Sequence, residues 1–160
     1  MAALMVTHDQ HEAFAFADQV GVMHGGRLRQ WGEPEALYHA PADRYVAGFI
    51  GQGAFLPGRM AAGRSVLLET GELWGDEALP FDEGAAVEVL LRPDEVKLEP
   101  GSAIRARVAE RLPRGGVCHY ALELLSGRRL WAEWRHDSAL APGDNVGIRL
   151  QPRRLLAYPA

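Results

Sequence analysis

The chain has 160 residues, a mass of 17.5 kDa and a formal net charge of −4. That length holds one ordinary domain or two small ones, and the negative balance argues against nucleic acid or an anionic membrane surface as a main partner, because both reward a basic face. One cysteine, Cys118, excludes an internal disulfide and fits a cytosolic setting. No apolar run approaches the ~20 residues of a membrane helix, and the N-terminus lacks a signal-peptide pattern.

Taken in chain order, Leu4, Met5 and Val6 read as the end of a strand buried on both faces. Thr7 with Gln10, and Asp9 with Glu12, have capping-box spacing, so a helix is predicted from Asp9 or Gln10 through Ala17. Val20, Val22 and His24 alternate with Gly21 and Met23. Gly25-Gly26 can take the positive φ values of a two-residue hairpin turn, with Leu28 and Gln30 on the return strand. Pro34 after Glu33 is a favourable helix start, Pro41 closes that helix, and Asp43 can cap another through Phe49. "GFIGQGAFLPG", residues 48–58, reads as a joint. It divides the chain into 1–51, mixed α/β, and 52–160, β-rich.

In the second part, Val87, Val89 and Leu91 precede a Pro93-Asp94 turn, followed by Val96 and Leu98. Ile104, Ala106 and Val108 alternate with arginines, and Arg105, Arg107 and Arg111 are placed on one strand face. Cys118, Tyr120, Leu122 and Leu124 share a face, as do Leu130, Ala132 and Trp134 beyond a Ser126-Gly127 turn. Short strands at this spacing predict a small β-barrel or sandwich. The fold class is therefore mainly β, preceded by an α/β piece.

The chemistry gathers at His8. At the C-terminal end of a buried strand in an open α/β sheet, side chains face the ligand crevice, and an imidazole there can meet a phosphate oxygen or a water. His8 could equally do no more than complete a helix start. A metal site from His8, Asp9, His11 and Glu12 is disfavoured, since carboxylates that cap a helix are not free to ligate. Trp31, Trp74, Trp131 and Trp134 could form a base-stacking platform or simply pack a small barrel. Arg92 before Pro93 could anchor a ligand or the domain turn, and the structural role is the favoured reading.

The run "MVTHDQHEAFAFADQVGVMHGGRLRQWGEPEALYHAPADRYVAGFIG" resembles the C-terminal end of the ATP-binding subunit of bacterial ABC importers, in the branch for ferric iron, polyamines, sulfate or sugars. The resemblance implies that His8 is the switch histidine of T-H-D-x-x-E-A, which contacts the γ-phosphate. It implies that 1–51 is a C-terminal piece of the ATPase domain and that 52–160 is a transport-associated OB-like (TOBE) domain, with "LLRPDEVKL" as its R-P-E/D motif. No G-x-x-x-x-G-K-[ST] phosphate loop occurs, and Lys97 is the sole lysine. Phosphoryl transfer needs phosphate-cradling amides, a lysine and Mg²⁺, so no cofactor is expected in this chain; ATP and Mg²⁺ belong to the full-length subunit. The reading is a regulatory and dimerisation portion, of ferric-iron type by the look of "GQGAFLPG", and not catalytic alone. Its expected partners are a second copy through the β-rich part and the permease subunits, with no nucleic acid. Its expected place is cytoplasmic, peripheral on the inner face of the plasma membrane. The alternative is a free-standing OB-like module for single-stranded nucleic acid or a small anion.

Overall fold

The computed structural model describes residues 2–135 and 139–160. Its contacts divide the chain into two units, Met1–Gly51 and Gln52–Ala160.

The first unit is built from α1 (Gln10–Phe16), the hairpin β1 (Val20–His24) and β2 (Arg27–Gly32), α2 (Pro34–His39) and α3 (Arg44–Phe49). Each boundary has a local cause. The Asp9 side chain accepts the His11 and Glu12 amides at the start of α1. Gly25 and Gly26 take φ of 56° and 73°, which lets two residues turn the hairpin without splaying it. Pro34 occupies the first turn of α2, and Asp43 accepts the Val46 amide at the start of α3. Val22, Leu37, Val46 and Ile50 are buried together, with Phe14, Val20, Tyr38 and Tyr45 packed around them.

The opening segment differs from the reading of its sequence. Residues 2–7 belong to no strand, and Leu4 and Val6 are 85% and 92% exposed. The apolar run is present, but no neighbouring strand among the described residues pairs with it, and a lone extended segment leaves its backbone groups to water.

The second unit contains β3 (Ala54–Ala62), β4 (Ser65–Leu68), β5 (Gly71–Trp74), β6 (Ala86–Leu91), a 3₁₀ turn (Pro93–Glu95), β7 (Val96–Leu98), β8 (Arg105–Arg114), β9 (Val117–Glu123), β10 (Arg129–Arg135), β11 (Asn145–Leu150) and β12 (Ala157–Pro159). They form two five-stranded sheets, ordered β12-β6-β3-β4-β5 and β10-β9-β8-β11-β7. All the pairings are antiparallel. Side chains from both sheets meet in one core that includes Leu56, Val66, Val89, Val108, Tyr120, Leu122, Leu130 and Ile148. The Trp134 indole on β10 donates to the Val96 carbonyl on β7 at 2.7 Å. That bond joins the first and last strands of the second sheet, so the sheet curls towards closure and the architecture is mainly β and OB-like.

The joint is shorter than its glycines suggest. Strand β3 begins at Ala54, so only residues 50–53 lie between α3 and β3. Pro57 is tolerated inside β3 because it pairs with Glu88 of β6, while the β4 ladder begins only at Gly58. Strand β8 also departs from simple alternation. Its register slips between Val108 and Glu110, a β-bulge that turns the rest of the strand over.

Candidate functional site

His8 lies in an exposed bend between the extended start of the chain and α1. Its neighbours are tied into the helix start. Asp9 accepts from the His11 and Glu12 amides at 2.8 and 3.2 Å, its own amide donates to Thr7 Oγ1, and the Thr7 hydroxyl donates to Glu12 Oε2 at 2.8 Å. The Glu12 and then the His11 amide hold the Asp9 carboxyl below its ordinary range. Gln10 Oε1 accepts the Gly51 amide at 2.9 Å, joining α1 to the end of the first unit. The carboxylates beside His8 thus serve the cap, and among the described residues no three His, Cys, Asp or Glu side chains gather in a metal-holding group.

The R-P-D-E turn in the second unit is a buried polar hub, and its full extent was not visible in the sequence. Arg92 and Glu95 are both buried. Glu95 Oε2 accepts the Arg92 amide and Oε1 accepts the Arg153 amide, each at 2.9 Å, while its carbonyl accepts the Gln151 amide at 2.8 Å. Arg92 Nη1 donates to the Gln52 carbonyl at 3.2 Å, and Arg153 pairs with Asp94 at 2.9 Å. The turn and its capping residue Arg92 therefore hold the entry to β3 and the run beyond β11. Arg92, Pro93 and the R-P-E/D run signalled the turn but not its partners, which lie 40 and 58 residues away.

Outside the barrel, Glu123 lies between Arg107 at 2.9 Å and Arg129 at 3.8 Å, and Arg129 also reaches Glu110 at 3.1 Å. The Arg107 hydrogen bond, reinforced by its charge, holds the Glu123 carboxyl below its usual range. Beside this network His119 meets Glu133 at 2.9 Å. The three arginines expected on one face are divided: Arg105 and Arg107 point outward, whereas the bulge turns Arg111 towards Tyr120 and Cys118. The Tyr120 hydrogen bond is the main cause that raises the Arg111 pKa.

The three tryptophans of the second unit form no common platform. Trp134 is buried against Tyr120, Trp131 is partly covered, Trp74 lies exposed beneath the Arg64 guanidinium at 6.0 Å, and Trp31 belongs to the first unit.

The chain is similar in fold to a solved structure of the cytoplasmic molybdate-binding protein ModG. It aligns with a TM-score of 0.58 at 14% identity, over 67% of this chain and 96% of that one, which is a likeness of fold. Residues 89–157, from the middle of β6 through the hub to β12, match the family model described as TOBE domain. The molecule is thus a TOBE-containing protein with an OB-like β unit.

The whole-chain relatives narrow this. The spermidine/putrescine import ATP-binding protein PotA of Rubrobacter xylanophilus is 36% identical over 96% of this chain and 44% of its own length. The sulfate/thiosulfate import ATP-binding protein CysA 2 of Chromobacterium violaceum is 34% identical over 99% and 46%. The chain belongs with the C-terminal, TOBE-containing part of ABC-importer ATP-binding subunits, and it spans less than half the length of these relatives.

Proposed function

We propose that this chain is the regulatory and dimerisation portion of the ATP-binding subunit of an ABC importer, with His8 as its switch histidine. The observation that carries the reading is the continuous match of 96–99% of the chain to import ATP-binding proteins, across both units. The exposed bend at His8 leaves the ring available to a nucleotide held by other residues. The sequence has no phosphate loop and one lysine, so the chain alone does not turn over ATP. ATP and Mg²⁺ would be bound by the rest of the subunit, which would dock on the permease at the inner face of the membrane. No helix of the described residues is long and apolar enough to cross a membrane. The Rubrobacter xylanophilus and Chromobacterium violaceum relatives are polyamine and sulfate/thiosulfate import proteins. A ferric-iron cargo therefore has only the joint sequence behind it.

The second unit is the proposed dimer surface, with the alternating Arg107, Glu123, Arg129 and Glu110 network giving one self-complementary patch. Sedimentation velocity of the chain tests this. A species of twice the 17.5 kDa chain mass is expected at micromolar concentration. A monomer at every concentration would refute the dimer assignment.

A further inference from the structure

The joint over residues 48–58 has the glycine content of a loose linker, yet its middle is held inside each unit. Gln10 is the first residue of α1 and follows His8 by two positions. Its Oε1 accepts the Gly51 amide at 2.9 Å, across 41 residues of sequence. Gly51 takes φ of 75°, a left-handed conformation that a side chain would resist. Gln52 belongs to the second unit, and its carbonyl is taken there by Arg92 Nη1 at 3.2 Å. Gly53 has no room for a Cβ, which would meet Leu90 Cδ1 at 2.7 Å and Arg92 Nη1 at 3.2 Å. Arg92 is buried, and its own amide is held by Glu95. On the His8 side the bend is a closed group. Thr7 Oγ1 accepts the Asp9 amide and donates to Glu12, while Asp9 accepts the His11 and Glu12 amides. His8 lies between two residues fixed by these bonds, so its backbone moves with the start of α1, and Gln10 ties that start to Gly51.

We infer that Gln10 is a positioning residue for His8, acting through the Gly51 amide, and that the Arg92–Glu95 hub reaches His8 through this bond and the Gly51–Gln52 peptide. The inference deepens the switch-histidine reading above and rests on it for any effect on turnover. A Gly-rich segment with free backbone groups absorbs a displacement at one end within a few bond rotations. Here the groups flanking the Gly51–Gln52 peptide are both engaged, the Gly51 N–H by Gln10 and the Gln52 carbonyl by the hub. A displacement of the Gln52 carbonyl therefore passes to the Gly51 amide and on to Gln10. Coupling carried by contiguous hydrogen bonds is demonstrated only when both ends bias the same element, and the Gly51 amide is that element.

The test uses the 160-residue chain, labelled for NMR, with the His8 ring resonances and the Gly51 amide exchange rate as readouts. Gln10→Ala should speed Gly51 exchange about tenfold, the scale of one lost hydrogen bond, and move the His8 resonances. Gln10→Glu, which keeps an acceptor oxygen at the same reach and suits a helix start, should restore both. The hub side is perturbed by Gly53→Ala, whose methyl meets the far ends of the Leu90 and Arg92 side chains, and separately by Arg92→Lys, which gives up the guanidinium bond to Gln52. Each should move the His8 resonances in the native chain and fail to move them in the Gln10→Ala background, a double-mutant cycle that reads the coupling directly. Leu67→Ala, exposed on the same unit, should not move them. Unchanged Gly51 exchange after Gln10→Ala, or His8 resonances that ignore both hub variants, overturns the inference. Equal movement with and without Gln10 also overturns it, because the path then runs elsewhere. In the Rubrobacter xylanophilus protein carrying this chain in place of its matched segment, Gln10→Ala should lower kcat roughly 10- to 100-fold with KM for ATP unchanged, the mark of a misplaced contact rather than a lost binding group. His8→Ala that leaves turnover there untouched sinks the switch-histidine reading alone, because the resonance cycle still decides whether Gln10 positions the ring.

Discussion

Asp43 does two jobs with one carboxylate. It caps α3 through the Val46 amide and pairs with Arg29 at 2.7 Å. Partial burial works to raise its pKa, but the Val46 amide and the Arg29 guanidinium outweigh that and hold it below the ordinary aspartate range. Because the folded value lies below the unfolded one, its contribution is present above about pH 4 and is lost as pH falls through the folded value. Asp43→Ala should cost about 1 kcal/mol, read as faster amide exchange in residues 44–50 at pH 7, with the difference from the native chain shrinking under acid. Glu95 carries more. Glu95→Ala leaves the buried Arg92 amide and the part-buried Arg153 amide without their acceptors, a loss of roughly 2–6 kcal/mol in urea unfolding at 1–3 per orphaned group. Glu77→Ala, which removes the exposed partner of Arg154, should cost under about 0.5 kcal/mol.

At the scale of elements, the tightest constraint is where β11 passes the turn after β7. A Cβ on Gly147 would collide with the Glu99 carbonyl oxygen, and the Glu99 amide is bonded to the Gly147 carbonyl at 2.8 Å. Both are backbone, so neither can rotate away. Gly147→Ala should therefore destabilise the second unit by roughly 3 kcal/mol, the upper end for overpacking, measured as a lower urea midpoint with an unchanged slope. Gly143→Ala, at φ 98° with open space around it, isolates the cost of backbone strain alone. Elements with a local cause were legible in the sequence: the Gly25-Gly26 hairpin, the Pro34 and Asp43 helix starts, and the alternating face of Cys118, Tyr120 and Leu122. Features decided by distant partners were not. The Ala109 bulge leaves no mark in the alternation of β8, yet it decides which way Arg111 points. The Glu95 hub depends on residues beyond β11, and Leu4–Val6 has the composition of a strand without a strand to pair with.

At the scale of the molecule, the two units present different physics. Residues 52–160 form a core fed by both sheets and curled shut by Trp134. Residues 2–51 bury a handful of side chains and leave a larger apolar set exposed. The candidate site follows the same division. His8 was legible through the resemblance of its T-H-D-x-x-E-A run, and from spacing alone only as an imidazole before a helix start, because no phosphate-binding motif accompanies it in this sequence. The most direct measurement replaces the matched segment of the Rubrobacter xylanophilus protein with this chain and compares ATP hydrolysis with His8 intact and with His8→Ala. The account predicts turnover by the first and a fall of at least about 100-fold in the second, the scale of losing one preorganised transition-state contact. Equal turnover by both, or steady hydrolysis by this 160-residue chain on its own, would contradict it.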